Sequence, residues 1–209
     1  MNGLVIGVMT GTSLDAIDIA LLQIKKNLPF KLVDFYSKKI PQKLKGEIKY
    51  LATPNITNIQ TLAKITNKFS RELANNINIF LKKNGYKSRI IVCGVHGQTI
   101  AHNPQKGFSL QICNPHLIAE LTGLRVVFDF RNRDVVRGGQ GAPLAPLFHS
   151  QIAPKDFQTA FVNIGGIANI TKIDKDFKIS SMDIGPGNCL IDKWIRKNTN
   201  SLYDENGNL

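Results

Sequence analysis

Leu4-Val5-Ile6-Gly7-Val8-Met9-Thr10-Gly11-Thr12-Ser13-Leu14-Asp15-Ala16-Ile17-Asp18-Ile19-Ala20-Leu21 decides the fold class of this chain. One apolar β-type run enters a Gly-Thr-Ser turn and a second leaves it, which reads as a β-hairpin. Exposed amides in such a turn can hold phosphate oxygens, and Thr12 and Ser13 add hydroxyl donors. The same residues also make an ordinary turn, and no Gly-Lys-Ser/Thr of a Walker loop is present. Asn163-Ile164-Gly165-Gly166-Ile167-Ala168-Asn169 repeats the pattern. Two such hairpins about 150 residues apart, close to one domain length, point to two related halves gripping one nucleotide.

Outward from the first hairpin, Leu4 to Met9, Ile17 to Ile24 and Lys31 to Tyr36 read as three successive strands. Thr57-Asn58-Ile59-Gln60 has the form of a capping box. It precedes an amphipathic helix with Leu62, Ile65, Phe69, Leu73, Ile77 and Phe80 on one face and a stop at Gly85. Strands are predicted at Arg89 to Val95, Phe108 to Ile112 and Arg125 to Phe130, and helices at Asn114 to Leu121 and Ala142 to Ile152. After a boundary near Ala153 to Asp156, the predicted strands are Thr159 to Asn163, Ile167 to Ile173 and Phe177 to Met182. A helix from Gly187 to Lys197 and a polar turn from Tyr203 to Leu209 complete the order. This order is an α/β class with a mixed sheet, its opening β-β-β-α begun a second time.

Three further segments carry candidate chemistry. Asp183-Ile184-Gly185-Pro186-Gly187-Asn188 places an acid at a strand-to-helix turn, where it can take a proton or cap the helix. His96-Gly97-Gln98-Thr99 follows a strand; His96 could touch a substrate, but a lone His is more often a hydrogen-bonded packing residue. His102, His116 and His149 share no metal spacing with it. Arg131, Arg133, Asp134 and Arg137 run into Gly138-Gly139-Gln140-Gly141-Ala142-Pro143, a loop that can hold an anionic sugar or form a surface salt-bridge cluster.

Composition bounds the rest. With 43% hydrophobic and 20% charged residues, the 209-residue chain reads as globular. The net charge of +12 comes from 20 Lys and 7 Arg, scattered and without aromatic interleaving. It reads as a solvated surface, not a nucleic-acid-binding face. Cys93, Cys113 and Cys189 lack metal spacing and fit a reducing cytoplasm. The N-terminus has neither the basic segment nor the uninterrupted apolar run of a signal peptide or membrane span.

Together the segments resemble the anhydro-N-acetylmuramic acid kinase family. Val8 to Asp18 is similar to its opening signature, and His96 to Thr99, Asp129 to Arg131, Asp134, Gly138 to Leu144, Asn163 to Asn169 and Asp183 to Asn188 look like its later blocks, in order. The resemblance implies a ribonuclease H-like, actin-like ATPase fold of two duplicated domains with ATP in the cleft. On this chain the first domain would be 1–155 and the start of the second 156–209. It also implies ATP- and Mg2+-dependent conversion of 1,6-anhydro-N-acetylmuramic acid to N-acetylmuramic acid 6-phosphate in bacterial peptidoglycan recycling. Carried over residue by residue, Gly11, Thr12, Ser13, Leu14, Asp15, Ala16, Ile17 and Asp18 would bind ATP, with Gly165 and Gly166 opposite. His96, Gln98, Arg131 and Asp134 would bind the sugar, and Asp183 would be the base; no residue is assigned to a metal. Thr10 and Ala16 depart from the family's usual Ser and Gly, and Ala16 would strain the loop if its φ were positive. A complete member extends well past Leu209, so the second domain is expected to be incomplete and the chain alone to show little turnover. The expected partners are the sugar and either a second copy or a complementing C-terminal fragment. The competing reading is an inactive remnant or half of a split kinase. A related sugar kinase is a further reading, against which the Gly138 to Pro143 block argues.

Overall fold

In the computed structural model, which describes residues 3–25, 28–53, 58–154 and 156–208, the opening hairpin forms as its pattern predicts. Strand β1 (Gly3–Thr10) buries Leu4, Ile6, Val8 and Thr10, every second residue, on one face. Strand β2 (Ala16–Lys25) answers with Ile17, Ile19 and Leu21, antiparallel in register from Gly3↔Ile24 to Thr10↔Ile17. Strand β3 (Leu28–Lys39) extends the third expected strand at both ends and pairs antiparallel with β2. Helix α1 (Gln42–Leu51) was not expected; it buries Leu44, Ile48 and Leu51, one face at steps of four and three.

Helix α2 (Ile59–Asn84) carries the predicted stripe, with Ile65, Phe69, Leu73, Ile77 and Phe80 buried. Its N-cap is Asn58, whose side chain accepts from the Thr61 amide; the expected capping residue Thr57 lies outside the described residues. Gly85, at φ +63°, ends it behind Lys82 and Lys83 as expected. Strand β4 (Ile90–Val95) then lies parallel to β1, up to Val8↔Val95.

An unexpected strand β5 (Gln98–Asn103) pairs with β6 (Phe108–Ile112) in a two-stranded ribbon. Helix α3 (Pro115–Thr122) follows, capped by Asn114 and stopped by Gly123. The strand expected over 125–130 shrinks to β7 (Val126–Val127), because Asp129 adopts φ +57° and turns the chain into the single turn α4 (Asn132–Val135). The five-stranded mixed sheet has the order β3-β2-β1-β4-β7. Its core joins Ile6, Ile17, Ile19, Leu21, Phe69, Ile77, Phe80 and Cys93.

The chain divides into two compact units, 1–142 and 143–209. The second begins with helix α5 (Ala145–Ile152), which starts later than expected and has Pro146, not Pro143, in its first turn. Strands β8 (Thr159–Ile164), β9 (Ile167–Ile173) and β10 (Ile179–Pro186) form an antiparallel meander of order β10-β9-β8. Strand β10 starts after its expected position, because Phe177 sits at φ +60° in the preceding turn. Helix α6 (Asn188–Asn198) completes the unit. Both units thus hold a meander in the same order. The outer edge of β1 takes β4, whereas β8 pairs only with β9 among the described residues.

Candidate active site

In the first unit, the continuations of the parallel strands β1 and β4 hold the turn residues and His96 and Gln98, while Arg131 and Asp134 lie at α4, after β7. The Leu14 amide donates to the Gly11 carbonyl at 3.0 Å and closes the turn. Leu14 itself takes φ +57° with its side chain buried, so residue 14, not Ala16, carries the positive φ. Ala16 sits in the β2 ladder opposite Lys39, and its replacement of glycine strains nothing. Ile17 is fully buried, so the side chains of Leu14 and Ile17 belong to the core. Thr12 and Ser13 are exposed and present the hydroxyls.

Asp15 is held by Lys45 of α1, whose Nζ lies 2.7 Å from its carboxylate. Burial acts to raise the Asp15 pKa, but hydrogen bonds from Lys45 and Ser13 and the charges of Lys45 and Lys49 outweigh it and hold it below its ordinary value. Asp18 lies opposite Met9 and accepts from the Ser37 hydroxyl at 2.6 Å. Lys45 escaped the sequence reading, because α1 itself did.

The His96 amide donates to the Val8 carbonyl at 3.1 Å, which carries the β1–β4 pairing one residue beyond β4. Thr10 Oγ1 donates to the Gly97 carbonyl at 3.1 Å, joining the end of β1, just before the Gly11–Leu14 turn, to the His96 segment. His96 Nδ1 lies 2.8 Å from the same carbonyl, and Arg131 Nε donates to His96 Nε2 at 2.8 Å. Arg131 Nη1 also donates to the Gly141 carbonyl at 2.7 Å, and the Gly141 amide donates to Asp134 Oδ2 at 2.7 Å. Thr10, His96, Arg131 and Asp134 are therefore one connected group. Burial, aided by the Arg131 charge, holds His96 below its ordinary pKa although the Gly97 carbonyl pulls it upward. Burial also lowers that of Arg131. Gln98 is 2% exposed; its Nε2 makes a long contact of 3.4 Å with the Thr99 carbonyl, and its buried Oε1 has no partner among the described residues.

In the second unit, Gly165 and Gly166 form the turn between β8 and β9. The Gly187 and Cys189 amides donate to the Gly166 carbonyl at 3.0 and 3.3 Å, and the Asn188 amide to the Gly165 carbonyl at 2.7 Å. Asn188 Nδ2 adds a bond to the Ile164 carbonyl at 2.9 Å, so Asn188 ties the helix to the turn instead of capping it; Gly187 occupies the cap. Asp183 is not at the end of its strand. It lies within β10, just before a bulge, with Gly185 at φ +141°. Its register places it opposite Asn169, which in turn lies opposite Asn163, so the three side chains share one rung and one face beside the Gly-Gly turn. Asp183 is exposed and makes no side-chain hydrogen bond among the described residues. Asn163 and Asn169 were read only as the ends of the second Gly-Gly hairpin, because only register aligns them with Asp183.

Among the described residues no group of three His, Cys, Asp or Glu side chains could hold a metal ion. Burial pushes the Cys93 thiol up to about 12 and that of Cys113 to about 11, so neither is a ready thiolate. No helix among the described residues is long and apolar enough to cross a membrane.

In class, the chain is a mixed α/β protein built on a meander-led mixed sheet. It belongs to the anhydro-N-acetylmuramic acid kinase family, whose model matches residues 3–209. A protein named anhydro-N-acetylmuramic acid kinase from Nitrosospira multiformis is 41% identical over 206 residues, covering 97% of this chain and 56% of that protein. Proteins of the same name from Pseudomonas savastanoi and Legionella pneumophila are also 41% identical, covering 99% and 98% of this chain but 57% and 56% of theirs. The chain spans about half the length of the curated relatives it matches. A structure of the Aquifex aeolicus PPX-GPPA enzyme aligns at TM-score 0.44 and 11% identity over 93% of this chain and 56% of that one, a likeness too slight to bear on the fold.

Proposed function

We propose that this chain carries the phosphate turn, the sugar-binding loop and the catalytic acid of an ATP-dependent kinase that opens and phosphorylates 1,6-anhydro-N-acetylmuramic acid. The observation that carries the reading is the pair of Gly-rich hairpin turns at corresponding places in two meanders of the same strand order. In this reading residues 1–155 are the first actin-like domain and residues 156–209 the opening of the second, whereas the compact units divide at 142/143, before α5. Exposed Thr12 and Ser13 suit a phosphate group, and the carboxylates of Asp15 and Asp18 lie beside them. When bound, ATP supplies the phosphoryl group and Mg2+ neutralises its charge. Arg131 takes the sugar's carboxylate while Asp134 fixes the Gly141 loop around it.

Asp183 suits the base because it is exposed beside the Gly-Gly turn and its carboxylate makes no hydrogen bond among the described residues. It takes a proton from the water that attacks the anomeric carbon. The C1–O6 bond breaks, and O6 receives the γ-phosphoryl group as ADP leaves. The reaction asks mainly for positioning and charge neutralisation, which fixed turns and cations provide.

The test is to join residues 1–209 to the C-terminal remainder of the Nitrosospira multiformis relative. The chimera should form N-acetylmuramic acid 6-phosphate from the anhydro sugar and ATP, and Asp183→Asn should abolish turnover with the fold intact. Turnover that survives Asp183→Asn removes Asp183 from the mechanism. A chimera that folds but phosphorylates another sugar overturns the substrate. The 209-residue chain alone should turn over slowly or not at all.

A further inference from the structure

A carbonyl oxygen only accepts hydrogen bonds, and a guanidinium only donates them. His96 has the Gly97 carbonyl at Nδ1 and Arg131 Nε at Nε2. Both contacts can be hydrogen bonds in one form of the ring alone, the neutral imidazole with its proton on Nδ1. Both ring nitrogens are then spent, and at 9% exposure His96 keeps no free nitrogen for a ligand.

Arg131, in contrast, is half-buried and has no carboxylate within ion-pair distance among the described residues. Of its five N–H donors, one goes to His96 and one to Gly141. The three that remain lie at the Nη end of the fork, the arrangement that takes a carboxylate in two-point contact. We propose that His96 is a positioning residue: its neutral Nδ1–H form holds Arg131 by Nε and presents the free Nη end of the guanidinium to an anionic ligand.

The link to a sugar carboxylate rests on the function proposed above; the lock on Arg131 does not. Protonation would put a second donor on Nε2, facing the Arg131 Nε–H, and set cation against cation. Arg131 is the charged group that acts on His96. Thr10 and Gly97 present uncharged groups, and Asp134 is engaged by the Gly141 amide. Because His96 lies below its ordinary value of 6.5, the unfolded chain binds this proton first. The contact is therefore complete at neutral pH and is lost as pH falls below that ordinary value.

Two variants separate the nitrogens. In His96→Gln, the amide oxygen stands where Nε2 stood and can accept from Arg131. In His96→Asn, the amide stands where Nδ1 stood and leaves Arg131 Nε without a partner. Proton–nitrogen NMR on the 209-residue chain should show a slowly exchanging Arg131 Nε–H in the wild type and in His96→Gln, but not in His96→Asn. Acid should remove it from the wild type and not from His96→Gln. Rapid exchange in the wild type at neutral pH, or equal behaviour of the two variants, overturns the lock.

Titration with N-acetylmuramic acid, and with N-acetylglucosamine as the carboxylate-free control, then reads the consequence. The acid sugar should bind more tightly, and His96→Asn should weaken it about tenfold, the order of one charge-assisted hydrogen bond, while His96→Gln stays near wild type. Equal affinity of the two variants for the acid sugar overturns the positioning role. If the NMR pattern holds but the wild type binds the two sugars alike, the lock stands and the sugar assignment falls.

Discussion

Gly97 shows how a single residue can hold the first unit's candidate site together. Its carbonyl faces both Thr10 Oγ1 and His96 Nδ1, and its backbone sits at φ +73°. A Cβ there would lie 2.7 Å from the Ile112 carbonyl oxygen and 3.0 Å from Cys113 Cβ. Gly97→Ala therefore meets two penalties, the left-handed conformation and a backbone clash. We expect a loss of about 2 kcal/mol or more in urea unfolding. The same variant should loosen the Arg131 Nε–H, because the carbonyl that orients His96 must move. A stability within a few tenths of a kcal/mol of wild type would show that the turn can be remade without glycine. Leu14 is a second strained residue, at φ +57°, and its buried side chain anchors the conformation. The same energetic logic made residue 16 the suspect from sequence, but the ladder places it in ordinary extended backbone.

Helix α2 was readable because 26 residues repeat one apolar stripe, and repetition over seven turns outweighs local ambiguity. Its start was misassigned by one residue, and Asn58→Ala tests the correction. Removing the side chain that accepts from the Thr61 amide should cost about 1 kcal/mol in thermal or urea unfolding. No measurable change would show that Asn58 is not the cap. Short elements were harder. Helix α1 signals itself through only Leu44, Ile48 and Leu51 in a run of lysines interrupted by Gly46, so Lys45, whose Nζ lies 2.7 Å from the Asp15 carboxylate, went unnoticed. Strand β5 is polar and has no apolar alternation to betray it. The two Gly-rich hairpins were legible, since each depends on local turn chemistry; Asp183 was read at a strand end, and only the ladder shows it within β10 before a bulge. The Asn163–Asn169–Asp183 rung and the His96–Arg131 contact were not, because register and side-chain geometry span distant residues that no local pattern links.

At the scale of the whole molecule, the two units differ in how much they bury. The first holds one continuous core from Leu4 to Leu124, including fully buried Phe69, Ile77 and Phe80. Among the described residues of the second, the buried hydrophobics are Ala168, Ile173 and Ile195, with Pro146 of α5. Helix α6 buries Ile195 but leaves Leu190, Ile191 and Trp194 exposed. Each fully buried Leu, Ile or Phe side chain contributes roughly 1.5–3 kcal/mol, so the second meander has only a few such increments to oppose its chain entropy. Its amides should open locally well below the global unfolding free energy. Native-state hydrogen exchange should therefore show low protection in β8, β9 and β10 and high protection in β1, β2 and β4. Increasing urea should release the first set before the second. Ile195→Ala, which empties one of the few buried positions, should lower protection in the second meander by about 2–4 kcal/mol, capped by its small local stability, and leave β1 and β4 unchanged. A common exchange free energy for both sets, shifted equally by Ile195→Ala, would make the chain a single cooperative body and overturn the two-unit division.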